Sequence, residues 1–128
     1  MNTISKILFL FSILLIISCD GSNANKLSYK WDVEPIFRHN CYACHFDSTT
    51  ISNNSASLCL ASYEKLMEGN SDNGPVVVKK YPEQSLLINK IVTEYPILGS
   101  RMPLNLPELS AEEIRNIDVW IYRGAKDN

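Results

Sequence analysis

The chain is poor in the residues that most site chemistries need in number. It has two histidines, His39 and His45, and four cysteines, with no second C-x-x-C and no H-x-H pair. Structural zinc wants four ligands at paired spacings, so a zinc reading finds few partners here. No βαβ pattern accompanies the one C-x-x-C, which leaves a thioredoxin-like redox pair without its context. Positive charge is not in excess: 12 Lys and Arg face 14 Asp and Glu, for a net charge of −2. Nucleic acid, which calls for a basic patch, is not an expected partner. Also missing is any apolar run near the roughly 20 residues of a membrane-spanning helix. The longest, Ile7 to Ile17, is broken by Ser12 and suits the core of a signal peptide behind the positive Lys6.

What the chain does have is Cys41-Tyr42-Ala43-Cys44-His45. A C-x-x-C-H run is read as a c-type haem attachment site. Two thiols add across the haem vinyl groups as thioethers, and the two-residue spacer sets the reach between them. His45, directly after, can offer an imidazole nitrogen as the proximal iron ligand. The plainer alternative, Cys41 and Cys44 joined as a disulfide in a secreted chain, stays open at this point.

The apolar run ends in Ile16-Ile17-Ser18-Cys19, which resembles a bacterial lipobox. The resemblance implies removal of residues 1–18 as a lipoprotein signal peptide and lipidation of Cys19. Several acyl chains on one residue give a stable membrane anchor. Cutting 18 residues from 128 leaves 110, enough for one compact domain, and losing Lys6 takes the charge from −2 to −3. Residues 19–30, small and polar at first, read as a flexible tether, with the domain proper over 31–128.

Along the domain, Asp32 can cap a short helix with Pro35 in its first turn and Val33, Ile36 and Phe37 on one face. Phe46 to Ser57 is rich in Ser, Thr and Asn and reads as a loop. Ser62 caps a helix bearing Tyr63, Leu66 and Met67, with Gly69 as a left-handed stop. Asn70 to Pro75 turns, and Val76 to Val78 is extended. Glu83 to about Thr93 forms a third helix, ended by Tyr95-Pro96. Gly99, Pro103 and Pro107 keep Ile97 to Leu109 irregular. Ser110 and Glu113 form a capping box, flanked by Leu109 and Ile114 as a hydrophobic staple. Ile114, Ile117, Trp120 and Ile121 then make an apolar stripe, stopped by Gly124. The expected class is all-α, about four to five short helices with almost no strand.

A second axial ligand is sought among Met67, Met102, His39 and the backbone. Met102, on the Pro-rich loop and followed by Pro103, is the favoured one. Met67 sits on an apolar helix side as a core residue. His39 is too near His45 to cross to the other face and ends the first helix exposed. Cys59, between Leu58 and Leu60, reads as a small buried hydrophobe, with an intermolecular disulfide as the alternative.

Taken together, Val33-x-Pro35-Ile36-Phe37, Cys41-x-x-Cys44-His45, Leu58-x-Leu60, Gly69 and Pro82-x-x-Ser85-x-Leu87 resemble a cytochrome c domain. So do Arg101-Met102-Pro103, Leu109-Ser110-x-x-Glu113-Ile114 and Trp120-Ile121-x-x-Gly124-Ala125. The likeness is to the planctomycete-type branch of the class I-like fold. It implies a small cytochrome c-like fold wrapped around one covalent haem c, with Cys41 and Cys44 attaching it. It also implies axial ligation by His45 and Met102, and first and last helices packed together with Phe37 near Trp120 or Ile121.

The function expected is a periplasmic, membrane-anchored monohaem carrier of single electrons between a redox protein donor and acceptor. It is not expected to be an enzyme, and it works as a monomer unless Cys59 links a dimer. Phe46, Leu58, Leu60, Leu87, Ile91, Leu104, Leu106 and Trp120 are the candidate apolar shell, and Arg101 a candidate partner for haem propionate. Two alternatives stand beside this: a five-coordinate haem c sensor or peroxidase-like protein, and the electron-transfer subunit of a larger dehydrogenase.

Overall fold

The computed structural model describes residues 27–46, 58–71, 73–94 and 96–128. The signal segment, Cys19, residues 20–26 of the tether and residues 47–57 lie outside them, as does Tyr95.

The fold begins earlier than Trp31. Lys30 N–H donates to the Asn128 carbonyl at 3.1 Å, and Tyr29 N–H to Asn128 Oδ1 at 3.0 Å. Leu27 to Lys30 are thus stitched to the C-terminus and do not belong to a tether. Ser28, rather than Asp32, caps the first helical stretch: its Oγ accepts from Trp31 N–H at 3.4 Å. Asp32 folds back and accepts from Ser28 N–H at 2.6 Å, closing the cap from the other side. Tyr29–Val33 is a π-helical turn in which Glu34 N–H reaches the Tyr29 carbonyl. Pro35 gives the reason: an ordinary helical turn would drive its ring into the carbonyl four residues back, and widening the backbone avoids that. Helix α1 (Glu34–Asn40) continues from it, and α2 (Tyr42–His45) is a single turn after a break at Cys41.

Helix α3 (Tyr63–Glu68) is capped by Ser62, whose Oγ accepts from Lys65 N–H at 3.3 Å. Gly69 does not end it left-handed, because its φ is −55°. A Cβ there would lie 2.9 Å from both the Leu66 carbonyl and Val76 Cγ2, so close approach, not chirality, demands glycine. Strands β1 (Asn70–Ser71) and β2 (Gly74–Pro75) form a minimal antiparallel hairpin that delivers Val76 and Val77 to the core. The third helix starts later than Glu83. A 3₁₀ turn, Pro82–Gln84, precedes α4 (Leu86–Val92), and extended Ser85 separates them. Ser85 is buried and occupied: its hydroxyl accepts from Val78 N–H at 2.8 Å and donates to the Tyr81 carbonyl at 3.0 Å. It closes the 78–81 turn instead of continuing a helix.

Helix α5 (Ala111–Tyr122) carries both halves of the expected capping box. Ile117, Trp120 and Ile121 are buried along it, and Gly124 leaves it with φ +100°. The molecule is helix-rich, and its one strand pairing among the described residues is the four-residue hairpin. The core gathers Val33, Ile36 and Phe37 from the first stretch with Leu66, Leu87, Ile91 and the α5 stripe. First and last helical segments meet, with the Tyr29 and Trp120 rings 5.2 Å apart.

Candidate functional site

Asn40 ends α1, and Cys41 departs from helical geometry at φ −126° and ψ −30°. The Cys41 carbonyl accepts from both Cys44 N–H (3.1 Å) and His45 N–H (3.0 Å). That tight turn sets Cys41 and Cys44 on one side, three residues apart. Both thiols are free, which leaves the disulfide alternative without support. Among the described residues no three His, Cys, Asp or Glu side chains converge as a metal-binding group. Cys44 is exposed and Cys41 half-buried against the core. Burial, with Cys44 and Glu113 nearby, pushes the Cys41 thiol up to about 12, so at neutral pH it stays protonated.

The spacer residue Tyr42 anchors this turn to α1. Its hydroxyl meets Glu34 at 3.5 Å, its ring lies 5.2 Å from that of Phe46, and the Arg38 guanidinium covers it. On the far side, the His45 carbonyl accepts from Leu60 N–H at 2.7 Å, which lays residues 58–60 along the motif. Cys59, half-buried, points its thiol at the Phe46 carbonyl 3.6 Å away.

His45 has a buried Nδ1 with no hydrogen-bond partner. Burial lowers its pKa, against a smaller opposing pull from the Leu58 backbone, and this favours the neutral imidazole that a metal requires. Two free thiols on one turn, followed by a half-buried imidazole whose Nδ1 is unpartnered, fit the needs of a covalent haem c.

Met102 is half-buried against the same core as Cys41 and belongs to a different segment. Its loop hangs from α4. Met102 N–H donates to the Lys90 carbonyl at 2.8 Å, and Ile97 N–H to Asn89 Oδ1 at 3.1 Å. Lys90 Nζ donates to the Leu98 carbonyl at 2.6 Å and also to that of Ser100. Arg101 is engaged as well, through Nε on the Ile91 carbonyl at 3.3 Å and an ion pair with Glu108. Sequence reading missed Asn89 and Lys90. It registers them as the polar side of a helix, because the carbonyls they hold come from a loop with no periodicity. His39 is exposed and Met67 packs partly into the core, as expected.

The expected apolar shell divides. Leu60, Leu87, Ile91 and Trp120 are buried in the chain's own core. Trp120 also donates its indole N–H to the Lys126 carbonyl at 2.9 Å. Phe46, Leu104 and Leu106 stand 46%, 55% and 49% exposed, and they flank His45 and Met102 in sequence. These three have apolar surface to give to a flat ligand, and the first four do not.

The family model of Planctomycete cytochrome C matches residues 41–103. The match opens on the first cysteine of the C-x-x-C-H run and closes on the proline after Met102. No curated protein and no solved structure matches the chain. With the thiols, imidazole and methionine loop all inside that span, the chain carries a cytochrome c domain of the planctomycete type.

Proposed function

We propose that this protein is a monohaem c-type cytochrome that carries single electrons at a membrane, with His45 and Met102 as axial ligands. The observation behind it is the turn Cys41–His45, which joins two free thiols to a half-buried imidazole with an unpartnered Nδ1 within the family match. When bound, haem supplies the one-electron couple of its iron. Cys41 and Cys44 hold it as thioethers. His45, kept neutral by burial, donates a nitrogen lone pair. The Met102 thioether favours ferrous over ferric iron and raises the potential relative to a second imidazole. Phe46, Leu104 and Leu106 lend apolar cover that keeps water from the group.

With His45 and Met102 both keeping hold of the group, little of the chain would need to move when an electron arrives or leaves, as suits a carrier rather than an enzyme. Lipid on Cys19 would hold the domain at a membrane facing the periplasm, on a tether that lets it pass electrons between a donor and an acceptor protein.

Visible spectra of the purified protein, oxidised and reduced, test the ligation with Met102→Ala beside it. A sharp reduced α-band, plus a weak ferric sulfur-to-iron band lost in the variant, is the expected result. A high-spin spectrum that binds carbon monoxide readily in the wild type would sink the His45/Met102 assignment. For the anchor, Cys19→Ser should move the haem protein from the membrane pellet to the soluble fraction.

A further inference from the structure

We infer that Lys90 is a positioning residue for Met102: its ammonium, seated on loop carbonyls ahead of that residue, governs how firmly the thioether stays on the haem iron. The inference rests on the Met102 ligation proposed above and adds what controls it.

Residues 97–102 form no regular element, and each hydrogen bond described for them runs to α4 or, through Arg101, to Glu108. Within that set Lys90 takes part in three bonds. Its side chain reaches the Leu98 carbonyl at 2.6 Å and the Ser100 carbonyl, and its own carbonyl accepts Met102 N–H at 2.8 Å. Gly99 lies between the two gripped carbonyls with φ +56°, which lets both turn toward one ammonium. A Cβ on Gly99 would sit 3.6 Å from Lys90 Nζ, so the loop wraps closely around the charge.

Hydrogen bonds from a charged donor are about twice as strong as neutral ones. Asn89 and Arg101 each supply one bond between α4 and the loop, and neither also holds the Met102 backbone. Without the ammonium, the Leu98 and Ser100 carbonyls lose their described partner, and Met102 keeps one backbone bond on a slackened loop. The arrangement with Met102 off the iron then becomes more populated, and any outside ligand for ferric iron competes better.

The test is imidazole binding to the haem-loaded ferric protein, with the sulfur-to-iron band recorded in parallel. Lys90→Met should tighten imidazole binding about tenfold or more and weaken the band. Lys90→Arg should recover part of the wild-type behaviour, since a guanidinium keeps the charge and paired donors. Tyr63→Phe, which removes a hydrogen bond to the Ala125 carbonyl far in sequence from the loop, should lose stability without a change in imidazole affinity, which separates positioning from general loosening. An unaltered band and affinity in Lys90→Met, with the band present in wild type, overturns the role of Lys90. A band absent from wild type, or kept in Met102→Ala, overturns the ligation reading instead and takes this inference with it. Should Lys90→Met fail to load haem, the wild-type protein with ¹⁵N-labelled lysine decides. A slowly exchanging Lys90 ammonium signal supports the grip, and one averaged away like a surface lysine refutes it.

Discussion

Where the first helical stretch meets α5, the facing apolar side chains are buried and only Trp31 and Tyr122 at the edges stand in solvent; around His45 and the Met102 loop, polar bonds hold the backbone while Phe46, Leu104 and Leu106 are left half exposed. On the first side Val33, Phe37, Ile117 and Ile121 are wholly or almost wholly buried, and Trp120 is boxed by Tyr29 and Tyr63. On the second, Phe46, Leu104 and Leu106 are about half exposed, and the loop is tied by Asn89, Lys90 and Arg101. The difference separates a packed scaffold from two segments, next to His45 and next to Met102 in sequence, whose apolar side chains the chain itself leaves half covered.

The comparison breaks most visibly on the scaffold side. Phe37 is 1% exposed in the shared core, so Phe37→Ala should cost about 3–5 kcal/mol in a denaturant titration of the haem-loaded protein. A loss below about 1 kcal/mol would mean that the core does not carry the fold. Gly69→Ala comes next. The new Cβ meets the Leu66 carbonyl and Val76 Cγ2, and forcing it in should cost about 1–3 kcal/mol by the same titration. Were chirality the reason for glycine, alanine would be free at φ −55°, so an unchanged midpoint would reject the steric account.

On the other face the chain's own packing puts little weight on Leu104. At 55% exposure, Leu104→Ser in a protein whose loop faces water stays within about 0.5 kcal/mol. In the haem-loaded protein it should cost about 1–2 kcal/mol, since part of the side chain is then covered. A value in the surface range would remove Leu104 from the haem environment.

These contrasts also mark what the sequence makes legible. The C-x-x-C-H turn and the Ser110–Glu113 box can be read because their chemistry is local, within three or four residues. The stripe Val33, Ile36 and Phe37 is readable from its spacing. The start of that stretch is not, because two caps compete: Ser28 wins through a π turn that Pro35 imposes and that periodicity does not encode. Glu83 looks like a helix start, yet the Ser85 hydroxyl is claimed by Val78 and Tyr81, a contact with no local signature. Trp120, expected beside haem, is drawn into the scaffold by Tyr29, Tyr63 and the Lys126 carbonyl. Apolar residues at helical spacing show burial without saying against what.

The smallest effect sharpens the comparison, because the scaffold also reaches the haem motif by a polar route. Glu113 Oε2 accepts from Ser110 N–H at 2.8 Å and from Ser110 Oγ at 2.9 Å. Its Oε1 accepts from Asn40 Nδ2 at 3.2 Å, and Asn40 directly precedes Cys41. The Ser110 backbone N–H, chiefly, holds the Glu113 carboxyl below the ordinary carboxylate range, and the Ser110 hydroxyl and Asn40 add to it. The folded state therefore binds this proton less readily than the unfolded chain. The stability that follows is complete above the unfolded pKa and is lost as pH falls through the folded one. Glu113→Gln should cost about 0.3–1 kcal/mol at neutral pH, the scale of a charge at a helix N-terminus, discounted for its partial exposure. That cost should fade as pH drops below the normal carboxylate range, where wild type is protonated too. A cost that stays constant down that range would assign the effect to amide geometry, leaving the charged bridge from α5 to Asn40 with no share in holding the motif.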